Sequence, residues 1–174
     1  MGENIIILCG DGSIQDYVSE LATRSGDDLG LVLTAIAFED EKVSGGRIEE
    51  DRRYGKETFQ TFDEPIFIGS AIAQLAGHAD AVVVDSLDDW AQRLLMRFPD
   101  DPVELDAEIS SLTSVMKARM SDLLLLIKKP EFVTGSAEHR EMAARILTSA
   151  RELAGTVIDA TIEPPSVLQG ELPG

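Results

Sequence analysis

The sequence predicts an α/β domain, with a mainly parallel central sheet flanked by helices on both faces. Three observations carry this. Continuous apolar runs recur along the chain, as in "NIIIL" (4–8), "ADAVVVDS" (79–86) and "DLLLLIKK" (122–129). Strands buried on both faces read this way, because neither side alternates with polar residues. Segments with apolar residues at helical spacing separate the runs. Strand alternating with helix is the signature of a parallel sheet joined by helical crossovers.

The remaining elements fit that frame. "LGLVLTAIAF" (29–38) reads as the second strand, "TFQTF" (58–62) as a short third with edge character, and "GTVIDATI" (155–162) as the sixth. Residues 14–25 read as the helix between the first two strands. At 65–76, Pro65 suits a first helical turn, and Ile68, Ile72 and Leu75 share a face. Residues 87–97 follow the valine strand as a helix. At 101–118, Asp101 reads as N-cap, Pro102 as N1 and Glu104 as N3, ahead of a Leu105, Ile109, Leu112, Met116 stripe. At 136–154, Ser136 caps and Met142, Ile146, Ala150 and Leu153 form the apolar face. Both stripes read as core, and Trp90 as a core anchor. Residues 1–162 make a single domain, and the proline-rich 163–174 an extended, poorly ordered tail.

Composition narrows the function classes. A chain of 174 residues suits one domain with a sizeable core. Its formal charge of −17 argues against general binding to nucleic acid or an anionic membrane, both polyanions. The acids read as a solvated surface, with a basic partner or a metal-rich surface as the other reading. No stretch approaches the ~20 apolar residues of a membrane span. The N-terminus lacks the basic flank and apolar length of a signal peptide, so a cytoplasmic location is expected. Cys9, the single cysteine, sits at a strand end and reads as a small core residue. His78 and His139 lie far apart and read as surface residues.

Ligands of parallel α/β sheets bind outside the carboxyl ends of the strands. Three loops are placed there. After the first strand comes "CGDGSIQDY" (9–17). A working phosphate loop reads G-x-x-x-x-G-K-[ST], with backbone amides cradling phosphate and lysine reaching its outer oxygens. Gly10, Asp11, Gly12 and Ser13 supply a glycine-bearing turn, but positions 15 and 16 are Gln and Asp. A tight turn in which Asp11 or Ser13 caps the helix is the competing reading. The second loop, "VVVDSLDDW", offers Asp85 at a strand end, where an acid beside a phosphate loop helps hold magnesium, and Asp88 and Asp89 in the next helical turn. The helix dipole favours acids in that turn anyway. The third loop, "KKPEFVTGS", carries Lys128 and Lys129, which either meet an anion or snorkel from a buried strand end.

Two blocks bring a known family into view. Residues 47–65, "RIEEDRRYGKETFQTFDEP", are similar without a gap to R-I-x-x-H-R-x-x-R-P-x-x-W-x-T-x-E-E-P, with Phe59 in place of Trp. Residues 84–95, "VDSLDDWAQRLL", are similar to V-D-C-L-T-L-W-L-T-N-L-L. A weaker block lies at 139–157. Together these resemble the adenosylcobinamide kinase/adenosylcobinamide-phosphate guanylyltransferase family of cobalamin biosynthesis, across nearly the whole chain. The resemblance implies a P-loop fold of the RecA-like kind, ATP or GTP with magnesium, and a homo-oligomer, a trimer with sites between subunits.

The departures fall on the family's working groups. Its G-G-x-R-S-G-K-S appears as "CGDGSIQD", shorter and without lysine. Its guanylylated histidine falls at Glu50 or Asp51, and its R-P at Gly55-Lys56. Its asparagine near the end of the second block is Arg93. The expectation is a non-catalytic relative that binds an unknown protein or small-molecule ligand. The alternatives are an active nucleotide enzyme using Asp85 with magnesium, and an acidic structural or interaction protein.

Overall fold

The computed structural model describes residues 2–11, 17–18, 20–21, 30–34, 48–50, 59–64, 66–75 and 81–171. Eight strands form one sheet: β1 (Asn4–Cys9), β2 (Gly30–Thr34), β3 (Ile48–Glu50), β4 (Phe59–Asp63), β5 (Ala81–Asp85), β6 (Asp122–Lys128), β7 (Thr156–Asp159) and β8 (Ser166–Gln169). Their order is β3-β4-β2-β5-β6-β1-β7-β8. The six inner strands run parallel, and β3 and β8 close the two ends antiparallel. All the parallel strands therefore present their carboxyl ends on one side of the sheet.

The strand runs are apolar throughout because both faces are covered. Alternate residues Ile6, Leu8, Val82, Val84, Leu123, Leu125 and Ile127 enter one core. Their neighbours Ile5, Ile7, Cys9, Val83, Leu124 and Leu126 enter another. Over the first face lie α1 (Ile68–Leu75), α2 (Leu87–Arg97), α3 (Pro102–Ala118) and α4 (Ala137–Arg151). Over the second lie the helical residues Tyr17, Val18 and Leu21. The predicted α/β class, with helices on both faces, is the fold observed.

Local signals act as read. The Asp101 carboxylate accepts from the Glu104 N–H at 3.2 Å, starting α3, and the Ser136 hydroxyl accepts from the His139 N–H at 3.1 Å, starting α4. Trp90 is fully buried in α2 and donates its indole N–H to the Ile66 carbonyl at 2.6 Å.

Three readings need correction. The run at 58–62 has no edge character, because β4 is paired on both sides, by β2 and by the short β3. His139 is not on the surface: it is buried in the first turn of α4. Residues 166–169 form β8, with Gln169 Nε2 donating to the Ala154 carbonyl at 2.8 Å and the Thr156 hydroxyl to the Glu171 carbonyl at 2.8 Å. The prolines flank that strand instead of interrupting its ladder. Pro65 and His78 lie outside the described residues.

Candidate functional site

The carboxyl ends of β1, β5, β6 and β7 bring together charged residues far apart in sequence. β1 delivers Gly10 and Asp11, β5 ends at Asp85, β6 leads into Lys128 and Lys129, and β7 ends at Asp159. The ladder continues past the strands. The Lys129 N–H donates to the Cys9 carbonyl at 3.0 Å and the Ala160 N–H to the Leu8 carbonyl at 2.9 Å, so both flanking loops are tied to β1. Gly10 sits in that seam. A Cβ there would lie 3.5 Å from the Phe132 ring and from the Thr161 methyl.

Both lysines face the chain's own carboxylates. Lys128 Nζ stands 3.7 Å from Asp11 Oδ1, in a pair open to solvent. Lys129 Nζ is hydrogen-bonded to Asp159 Oδ2, and this carboxyl group is buried. Asp159 also accepts from the Thr161 N–H at 2.9 Å and from the Thr161 hydroxyl. Burial raises the Asp159 pKa, but the bonds from Lys129 and Thr161 outweigh it and hold the carboxyl below its ordinary range.

The acids after β5 divide their work. Asp88 is buried, and its carboxylate accepts from the Lys128 N–H at 2.9 Å, closing the end of β6. It therefore serves the sheet, a role that neither the metal nor the helix-dipole reading of this residue anticipates. Asp89 accepts from the Ser86 hydroxyl at 2.9 Å, and burial, together with the Asp88 charge, raises its pKa. The Asp85–Ser86 peptide is cis. Burial, reinforced by Asp88 and Asp85, pushes the Cys9 thiol up to about 12.

His139 ties the third loop to this group. Its Nε2 lies 2.7 Å from the Asp88 carbonyl, which can only accept, so Nε2 carries the proton and donates. Its Nδ1 is buried, without a hydrogen-bond partner among the described residues. It packs on Gly135, where a Cβ would stand 2.1 Å away, so only glycine fits.

The structure thus gathers Gly10, Asp11, Asp85, Asp88, Lys128 and Lys129, and adds Asp89, His139, Asp159 and Thr161. Sequence could have flagged Asp159, as an acid ending a predicted parallel strand. Glu50 lies apart from them. It is in β3, five strand spacings from β1, or roughly 24 Å at about 4.8 Å each. Gly12, Ser13 and Asp51 lie outside the described residues.

A magnesium–nucleotide fits this set poorly. The loop 10–16 contains no lysine or arginine. Both lysines of the third loop already face carboxylates. Each lysine–aspartate pair carries no net charge and so offers little attraction to a polyphosphate brought to these strand ends. Among the described residues, no three His, Cys, Asp or Glu side chains are grouped to hold a metal ion.

The inner parallel sheet, covered on both faces and opening its strand ends to a glycine-bearing first loop, is the RecA-like P-loop architecture. A solved KaiC-like protein from the hyperthermophilic archaeon Pyrococcus horikoshii is similar over 91% of this chain and 72% of its own, with a TM-score of 0.51. At 13% identity that likeness carries the fold alone. The comparison with curated proteins returns no match. Residues 15–157 match the family described as cobinamide kinase / cobinamide phosphate guanyltransferase, and the chain belongs to that family.

Proposed function

We propose that this chain is a family member that has given up phosphoryl and guanylyl transfer and acts by binding a protein or small-molecule ligand. The observation that carries this is the internal neutralisation of the site's lysines, Lys128 by Asp11 and Lys129 by Asp159. Phosphoryl transfer rests almost wholly on positioning and on cations aimed at the phosphate oxygens. Here the cations are aimed at carboxylates of the same chain. Guanylyl transfer through a covalent intermediate needs an activated nucleophile. Glu50 and Asp51 hold that position in the sequence, and carboxylates substitute poorly for the imidazole. A cytoplasmic homo-oligomer, a trimer by resemblance, goes with this reading, and sedimentation would check the assembly.

The test is thermal denaturation with ATP or GTP and magnesium. A ligand at a hundred times its dissociation constant stabilises a fold by about 2.7 kcal/mol. The proposal expects no resolvable shift at millimolar nucleotide. A magnesium-dependent shift of that size, lost in Asp85→Ala, would instead establish a nucleotide-binding site using Asp85 and count against the proposal.

A further inference from the structure

We draw no further inference here: the strongest candidate, the half-buried Arg93 side chain on the flank of α2, whose Nε is buried without a hydrogen-bond partner among the described residues, carries nothing, because nothing in the structure shows which anion or partner group would cover it.

Discussion

Lys129 and Asp159 form the contact on which residue-scale predictions turn. The Asp159 carboxyl is buried, so removing its cation leaves a charge with little water to replace it. Lys129→Met is expected to cost about 2 kcal/mol of stability at pH 7, measured by urea denaturation. Lys129→Met/Asp159→Asn is expected to cost less than Lys129→Met alone, since both partners are then neutral. The pH dependence has a fixed sign. The folded-state pKa of Asp159 is lowered, so its contribution is present above the ordinary carboxylate range and disappears as pH falls through the lowered value. Lys129→Met should therefore lose less stability than the unaltered protein on acidification. The Asp11–Lys128 pair is solvent-open, and Asp11→Ala is expected to change stability by under about 1 kcal/mol. Cys9, buried and with its thiol pushed up to about 12, is expected to resist a thiol reagent at pH 8 in the folded protein and to react on unfolding. Its core role was legible from its place at a strand end. The burial of His139 was not, because its partner, the Asp88 carbonyl, lies 51 residues earlier and on another helix. No local pattern encodes such a pair.

Elements whose signals are local were read from sequence within a few residues. The valine strand, the α3 cap at Asp101 and the α4 cap at Ser136 each depend on neighbours in the chain. β3 and β8 depend on pairing with the neighbouring strand in the chain: three or four residues beside β4 and β7 acquire a structure that their own pattern does not announce. The same limit hid the role of Asp88, whose helical position explains an acid but not its bond to the end of β6. Helix α1 shows how packing overrides propensity. Gly69 faces α3 so closely that a Cβ would stand 2.3 Å from the Ser111 hydroxyl oxygen and 2.7 Å from its carbonyl carbon. Alanine is the better helix former by about 1 kcal/mol, yet Gly69→Ala is expected to destabilise by about 1–3 kcal/mol because the two helices must move apart. Adding Ser111→Ala should not restore stability, since the backbone clash remains. Equal or greater stability of Gly69→Ala in urea would contradict that close crossing.

At the scale of the whole molecule, the chain keeps the fold of its family and pairs Lys128 with Asp11 and Lys129 with Asp159 at the carboxyl ends of its parallel strands. The framework is encoded by continuous apolar strands, so it survives any change that preserves pattern and volume. The site is encoded by a handful of polar residues at strand ends, so a few substitutions suffice to alter it. That is why the fold could be read from composition and periodicity, whereas the pairing of charges at the strand ends needed the structure. The missing loop lysine was visible in "CGDGSIQD"; the clamp of Asp159 on Lys129 was not. No described helix is long and apolar enough to cross a membrane. The most direct test is to supply the purified chain with cobinamide, ATP and magnesium, and then GTP, and to look for phosphorylated and guanylylated cobinamide against a catalytically active family member. The account predicts no product above the enzyme-free background over many hours. Turnover comparable to the active relative would contradict it, and would mean that the strand-end lysines leave their carboxylates when nucleotide arrives.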